Sequence, residues 1–124
     1  MKFQPDTPEG QSIRAYGPGW IDVNGEKLGA SVVIGSKGQR FDWHCTQFDL
    51  LTNAHFAKLA DASPELVIFG SGERLRFPKP EWLTTLFAKR IGIETMDLAA
   101  ACRTYNILAG EGRDVLLALL IETE

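Results

Sequence analysis

The segment Val115-Leu116-Leu117-Ala118-Leu119-Leu120-Ile121 decides the fold, because none of its side chains is polar. A strand with one solvated face alternates apolar and polar residues, whereas a short continuous apolar run favours a strand covered on both faces. Leu66-Val67-Ile68-Phe69 has the same character, and Ile91–Met96 is predicted as a third strand. Even the longest of these runs is far too short to span a bilayer. The pattern therefore predicts a sheet with a buried core of strands.

Two predicted helices separate these strands. Glu81–Arg90 follows Pro80, which is tolerated in a first helical turn, and its last turn is basic, as suits a helix C-terminus. Asp97 is a suitable N-cap for a second helix that runs to about Ala109, with Gly110 just beyond it. The order strand, helix, strand, helix, strand is typical of right-handed crossovers between parallel strands.

The N-terminal half shows the signals of short antiparallel strands. Asn24-Gly25 is the strongest of them, because both central residues of a type I′ hairpin turn need a positive φ. The predicted elements are strands over Ser12–Tyr16, Trp20–Val23, Glu26–Ile34 and Gln39–Trp43, and a helix over Thr52–Ala60. The sequence thus predicts an α/β fold with a mixed sheet, its parallel βαβαβ part in the C-terminal half.

Length and composition indicate one globular domain. The chain has 124 residues, of which 44% are hydrophobic and 23% charged. We expect a flexible leader over residues 1–11, a single domain over 12–121 and a tail over 122–124. A net charge of −3 with scattered cations argues against a nucleic-acid partner, because phosphate-backbone binding relies on clustered Lys and Arg.

Cysteine usage and the first residues favour a cytoplasmic protein without membrane insertion. Cys45 and Cys102 form no C-x-x-C pair, which is typical of reduced intracellular thiols. The first ten residues lack both the apolar core of a signal peptide and the composition of a transit peptide. His44, Cys45 and His55 are too few and poorly spaced for a zinc site, so no metal or cofactor is expected.

The best candidate site lies at the carboxyl edge of the predicted parallel strands, where open α/β sheets bind ligands. Glycines after one strand let backbone N–H groups approach a ligand, and nearby arginines suit an anion. The predicted ligand-binding residues are Gly70, Ser71, Gly72, Arg74, Arg76, Asp97 and Arg103. The alternative is an Arg–Asp pair that ties two loops together.

No catalytic set is recognisable in the sequence. The Gly70-Ser71-Gly72 turn lacks the Gly-Lys-Ser/Thr ending of a P-loop and the third glycine of a dinucleotide motif. Cys102 falls on the apolar face of its predicted helix, where a free cysteine usually acts as a small hydrophobe. The sequence therefore assigns no catalytic residue.

Several segments resemble a known family of uncharacterised domains, the one that includes mitochondrial complex I assembly factor 3 and the adipogenesis-associated protein. The segments that carry the resemblance are Ala15–Gly19, Phe69–Arg74, Arg76–Pro78, Met96-Asp97 and Ala100–Leu108. They occur in the same order within about Ser12–Ile121. The resemblance implies a three-layer β/β/α fold, and for the mitochondrial member a role in protein assembly. Because the first residues do not have the composition of a transit peptide, we expect a bacterial relative of that member.

Three hypotheses about function follow. The first is a non-catalytic interaction module that assists assembly of a respiratory (complex I-like) or other membrane-associated complex, with a protein partner among respiratory subunits or assembly proteins. The second is a binder of a small anionic metabolite, or an unrecognised enzyme, that uses the crevice at Gly70–Gly72 and Asp97. The third is a homo-oligomer joined through the edge of the early hairpin.

Overall fold

A computed structural model describes residues 10–123, which form eight strands and three α-helices. The elements are β1 (Ile13–Gly17), β2 (Trp20–Val23), β3 (Glu26–Leu28), β4 (Val32–Gly35), β5 (Arg40–Asp42), α1 (Asn53–Ala60), β6 (Leu66–Gly70), α2 (Thr84–Ala88), β7 (Gly92–Met96), α3 (Leu98–Gly110) and β8 (Val115–Leu119). Short 3₁₀ turns cover Phe48–Leu50 and Pro80–Leu83.

The leader predicted for residues 1–11 falls outside the described residues except for its last two, and so does Glu124 of the predicted tail. Both backbone polar groups of Gln11 form hydrogen bonds. Its N–H donates to the Gly35 carbonyl over 3.1 Å, and its carbonyl accepts the Tyr105 hydroxyl. The domain limits at 12 and 121 stay a prediction.

Strand β8 lies at the centre of the larger sheet, whose order is β5-β4-β8-β6-β7. It runs parallel to β6, with Leu117 opposite Ile68, and antiparallel to β4, with Leu117 opposite Ile34. All five of its side chains are buried. The mixed sheet that the sequence predicts is therefore confirmed, with β6, β7 and β8 as its parallel part.

The two crossovers place α2 and α3 on opposite faces of this sheet. The chain moves from β6 to its neighbour β7, and then returns past β6 to β8, so right-handed connections must pass over opposite faces. Along β8 the side chains alternate accordingly. Leu116 packs in the cluster that contains Leu86 of α2, and Leu117 in the cluster that contains Tyr105 of α3.

Strands β1, β2 and β3 form a separate antiparallel sheet on the α3 side. Ile13, Ile21 and Val23 join the cluster that includes Tyr105. Asn106 of α3 acts as a substitute strand partner, because its side-chain amide accepts from the Ile13 N–H over 3.0 Å and donates to the Ile13 carbonyl over 2.7 Å. The three-layer β/β/α architecture is thereby confirmed.

The prediction of one strand over Glu26–Ile34 is wrong. Strand β3 ends at Leu28, and β4 begins at Val32 in the other sheet. The buried Ser31 makes the transition, because its hydroxyl donates to the Cys45 carbonyl over 2.7 Å and accepts from the Ile121 N–H over 2.8 Å. A polar residue thus serves as the point where the chain changes sheets.

The helix predicted over Glu81–Arg90 is shorter than expected. Pro80–Leu83 form a 3₁₀ turn and only Thr84–Ala88 are α-helical. The chain leaves the helix through Arg90, which has a φ of 59°. Trp82 and Leu83 are buried in the 3₁₀ turn, so the tertiary packing of these two side chains accounts for the tighter winding.

Gly70 allows α3 to approach the end of β6 closely. A Cβ atom added at Gly70 would lie 2.4 Å from Leu119 Cδ2 and 3.1 Å from Ala101 Cβ. Both neighbours are fully buried, so neither can move into solvent. The glycine is needed here for packing between the sheet and the helix.

We expect Gly70→Ala to lower the free energy of unfolding by about 1–3 kcal/mol, because the added methyl group overpacks a closed core. Gly110→Ala is the matched control, since a Cβ there meets nothing within 4 Å. It should change stability by less than about 1 kcal/mol, in the stabilising direction. Urea unfolding of both variants measures this, and equal stability of the two would contradict the packing role of Gly70.

Candidate functional site

Ser71 fixes the turn that follows β6. Its N–H donates to the Met96 carbonyl over 2.8 Å, which joins the ends of β6 and β7. Its hydroxyl donates to the Arg74 carbonyl over 2.7 Å and accepts from the Arg76 N–H over 2.9 Å. Ser71 is completely buried, so these bonds satisfy a polar group that has no access to solvent. Its role is to hold the loop.

Arg76 ties this loop to the C-terminal segment. Its guanidinium donates to the Ser71 carbonyl over 2.8 Å and makes two hydrogen bonds to the Glu122 carboxylate, of 2.8 and 3.2 Å. The guanidinium also lies 4.7 Å from the centre of the Phe48 ring. The hydrogen bond from Arg76 holds the pKa of Glu122 below its ordinary value. An arginine does tie segments together here, and its partner is Glu122 rather than Asp97.

Asp97 caps α3, as predicted. Its carboxylate accepts from the Ala100 N–H over 2.9 Å. The next amide, that of Leu98, donates to the Gly72 carbonyl over 2.7 Å. Gly72 has a φ of 101°, a conformation that favours glycine. The first turn of α3 and the turn after β6 are therefore joined directly.

A cavity of about 250 Å³ opens where these two turns meet the β1–β2 turn. We call it the edge cavity. Its lining residues are Tyr16, Gly17, Pro18, Gly72, Glu73, Asp97, Leu98 and Ala99. A smaller hollow of about 50 Å³ shares Gly72, Glu73 and Leu98 with the edge cavity and reaches Glu122.

Arg103 stands beside the edge cavity. Its guanidinium donates to the Tyr16 hydroxyl over 3.0 Å, and this hydrogen bond raises the pKa of Arg103. The negative charge of Asp97 also raises the pKa of Arg103. The pair links α3 to the small sheet and leaves the Tyr16 hydroxyl hydrogen available as a donor.

The structure brings together part of the predicted site. Gly72 and Asp97 line the edge cavity, and Arg103 contacts its Tyr16. Ser71 and Gly70 are buried and do not line it. Arg76 is bound to Glu122, and Arg74 is exposed and does not line the cavity.

Sequence reasoning missed the wall made by Tyr16, Gly17 and Pro18, and it missed Glu73. The signal was present, because Tyr16-Gly17-Pro18 and Gly72-Glu73 both lie in segments that carry the family resemblance. What the sequence does not show is that the small sheet folds across the N-terminus of α3. These segments meet only through that packing.

The two thiols are part of the core. Burial raises the pKa of Cys102 to about 12, and burial also raises the pKa of Cys45. A thiol that stays protonated is a poor nucleophile. Cys102 is fully buried on α3, where it packs as the sequence predicts.

His55 serves the N-terminus of α1. Its Nδ1 accepts from the Thr52 N–H over 3.1 Å, and its Nε2 lies 3.2 Å from the His44 carbonyl. Among residues 10–123, no three His, Cys, Asp or Glu side chains are grouped as metal ligands. Within the same range, no helix has the length and apolar character needed to cross a membrane.

Comparison with known proteins places these features in a family. A family model described as a protein of unknown function (DUF498/DUF598) matches residues 13–120. NADH dehydrogenase (ubiquinone) 1 alpha subcomplex assembly factor 3 of Bos taurus is 26% identical over 95% of this chain, and that of Xenopus tropicalis is 25% identical over 96%. The chain spans 65% and 66% of the lengths of these two relatives.

A solved structure has the same fold. The crystal structure of a protein from Bordetella parapertussis matches with a TM-score of 0.86 and 35% sequence identity. The match covers 95% of this chain and all of that one. The architecture described above is thus shared by a protein of closely similar extent.

The Arg76–Glu122 pair predicts how stability depends on pH. Because the pKa of Glu122 is lowered on folding, its contribution is fully present above the ordinary value near 4.5 and is lost as the pH falls through the folded value. Glu122→Gln should therefore cost about 0.5–1 kcal/mol at pH 7, as expected of a partly exposed ion pair. The difference from the wild type should shrink below pH 4.5.

Urea unfolding across pH 3–7 checks this expectation. Glu81→Gln is the control, because Glu81 is exposed and makes no ion pair among the described residues. A Glu122→Gln deficit that stayed constant with pH would contradict a charge-based role for the pair.

Proposed function

The chain belongs to the DUF498/DUF598 family, and from this we propose that it is a non-catalytic interaction module that assists assembly of a respiratory, complex I-like, or other membrane-associated complex. The observation that carries the proposal is the likeness to a complex I assembly factor over 95% of this chain. That relative is named as an assembly factor of an NADH dehydrogenase. The proposed partners are subunits or assembly proteins of such a complex.

The chemistry of the described side chains supports binding over covalent catalysis. The most nucleophilic candidates, Cys45 and Cys102, are buried and their thiols have raised pKa values. Ser71, at the head of the glycine-containing turn, uses its hydroxyl to hold the loop. These three groups are therefore engaged in structure.

The loop over residues 72–79 is the docking surface that suits this role. Leu75 is 53% exposed and Phe77 is 70% exposed, although both side chains are large and apolar. Arg76, between them, points inward and is fixed by Ser71 and Glu122. Exposed apolar side chains on a backbone that is already ordered bind a partner with little loss of conformational entropy.

The charges beside these side chains indicate the chemistry of the partner surface. Arg74 and Lys79 are exposed and flank Leu75 and Phe77 along the chain, against one exposed carboxylate in the loop, that of Glu73. Aromatic and arginine side chains are frequent among the residues that dominate protein interfaces. The fitting partner surface is an apolar pocket with acidic side chains at its border.

A small anionic metabolite at Gly70–Gly72 and Asp97 is the alternative, and the observed geometry gives it less support. Arg76 is paired with Glu122, and the edge cavity is lined by the carboxyl-bearing side chains Glu73 and Asp97. Gly70 is buried against Leu119 and Ala101. An anion would meet carboxylates where the sequence suggests arginines.

Affinity capture of the tagged full chain, expressed at native level in its own gently solubilised cells, tests the proposal. We expect mass spectrometry to find respiratory-complex subunits or their assembly proteins enriched. The double variant Leu75→Ser with Phe77→Ser should lose this enrichment about 30-fold or more, as when interface hot spots are removed.

Ile107→Ser is the matched control. Ile107 is 61% exposed on α3, so its replacement also removes exposed apolar surface while leaving the 72–79 loop intact. Its capture profile should equal that of the wild type. Absence of any such partner would refute the assembly role, whereas equal capture by the double variant would refute the docking surface.

A further inference from the structure

Strand β7 is the outer strand of the larger sheet, where it pairs with β6 alone among the strands of the described residues. We propose that its outer edge binds an extended segment of a partner polypeptide as an added antiparallel strand, with a lysine or arginine of that segment opposite Glu94. The inference concerns a different surface from the 72–79 loop and does not depend on the assembly role. It rests on the directions of the backbone groups of β7 and on its one charged side chain.

One hydrogen bond shows which backbone groups of β7 are directed outward. The Met96 carbonyl accepts from the Ser71 N–H over 2.8 Å, so Met96 directs its backbone groups toward the β6 side. Successive residues of a strand direct their N–H and C=O groups to opposite sides within the sheet. Glu94 therefore pairs toward β6, whereas Ile93 and Thr95 direct these groups to the outer edge. Within residues 10–123, no backbone hydrogen bond from a loop reaches either of these two residues.

The other sheet edges are shorter or are bonded by a side chain. Strands β3 and β5 have three residues each, whereas β7 has five. Strand β1 also has five residues, and there the Asn106 amide bonds to both backbone polar groups of Ile13. Strand β7 pairs with β6 in continuous register and contains no proline. A regular open edge of this kind is a template for pairing with another chain.

The side chains of β7 alternate between two environments. Ile93 is half-buried against the cluster on the α2 face, and Thr95 lies opposite Phe69 of the same cluster. Glu94 lies opposite Ile68, on the face that α3 covers, and it is exposed. An added strand continues this alternation. Its residues beside Ile93 and Thr95 extend the apolar face, and the residue between them lies beside Glu94.

Charge selects the partner residue opposite Glu94. The Glu94 carboxylate forms no ion pair among the described residues. Side chains opposite each other in neighbouring strands interact directly, so opposite charges stabilise the pair and like charges destabilise it. A lysine or arginine at this position therefore strengthens the added strand, whereas an acidic residue weakens it. Branched residues suit the positions on either side, because they pack well on a pleated surface.

The same charge disfavours a second copy of this chain at the edge. If two β7 strands pair antiparallel through Ile93 and Thr95 of both copies, Ile93 lies opposite Thr95 and Glu94 lies opposite Glu94. The Cα atoms of such a pair, which is not hydrogen-bonded, are about 4.5 Å apart. Like charges directly opposite each other are destabilising. Glu94 thus favours a basic partner strand over self-pairing, in the way that charged residues protect other edge strands.

Titration of the isotope-labelled full chain with short peptides tests the proposal. The probe is acetyl-Thr-Val-Lys-Val-Thr-amide, and the matched control has Glu in place of Lys. We expect the Lys peptide to shift the amides of Ile93 and Thr95 saturably and to slow their hydrogen exchange. It should bind at least about fivefold more tightly than the Glu peptide, because an attractive cross-strand pair replaces a repulsive one. A Lys peptide with both valine nitrogens methylated should not bind, because it lacks the N–H groups that face β7.

Two variants separate strand addition from other contacts. Glu94→Lys should reverse the preference, so that the Glu peptide binds more tightly than the Lys peptide. Thr95→Pro removes an N–H directed to the outer edge and should abolish binding of both peptides, and an edge strand tolerates proline where its N–H faces solvent. Glu81→Lys is the matched control, because it makes the same charge change at an exposed position outside β7. It should keep the preference for the Lys peptide.

Several results would overturn the proposal. They are the absence of saturable shifts with the Lys peptide, equal affinity for the Lys and Glu peptides, undiminished binding of the N-methylated peptide, and an unchanged preference in Glu94→Lys. Protection of the Ile93 and Thr95 amides that grows with protein concentration, without peptide, would identify a second copy as the occupant and also overturn it. If Thr95→Pro does not fold, Glu94→Lys and the N-methylated peptide decide the question.

Discussion

Strand β8 must be covered on both faces, and the rest of the structure depends on that requirement. Its five residues are apolar and buried, so leaving either face in water would forfeit about 1.5–3 kcal/mol for each large side chain. The cluster with α1 and α2 covers Leu116 and Ala118, and the cluster with α3 and the small sheet covers Leu117 and Leu119. The crossover from β6 to β7 places α2 on one face of the sheet. The crossover from β7 back to β8 places α3 on the other face.

Three contacts attach the carboxyl edge of the sheet to this core. Ser71 joins the ends of β6 and β7, Leu98 joins α3 to Gly72, and Arg76 joins the loop to Glu122. Polar groups that could serve a ligand in another α/β protein are used here to position a loop and a cavity. The loop presents Leu75 and Phe77 to solvent, and the cavity presents carboxylates. The same bonds thus hold both the loop and the cavity in place.

The sequence predicts the local features of the fold well. Strand β2 has the predicted bounds, the Asn24-Gly25 turn has φ values of 53° and 98°, and Asp97 caps its helix. These features depend on neighbours in sequence. The continuous apolar runs also predict the buried strands. They lack the alternation of apolar and polar residues that marks a strand with one face in solvent.

The site was less predictable, because its decisive contacts are long-range. The sequence allows an ion pair between an arginine of this loop and Asp97. Arg76 pairs instead with Glu122, because the chain passes the loop after it leaves β8. Ser31 divides a predicted strand because it meets Cys45 and Ile121, which no local pattern indicates. Tyr16 reaches the cavity only because the small sheet folds over α3. Residue type alone therefore does not show which of the predicted side chains line the cavity at this edge.

Native-state hydrogen exchange is the most direct test of the claim that the core holds this edge in place. Two reporters are the Ser71 amide, bound to Met96, and the Leu98 amide, bound to Gly72. Both should exchange with the same free energy as the amides of β8, namely that of global unfolding. Exchange of either reporter through an opening that costs at least about 2 kcal/mol less would show that the edge opens independently and contradict the claim.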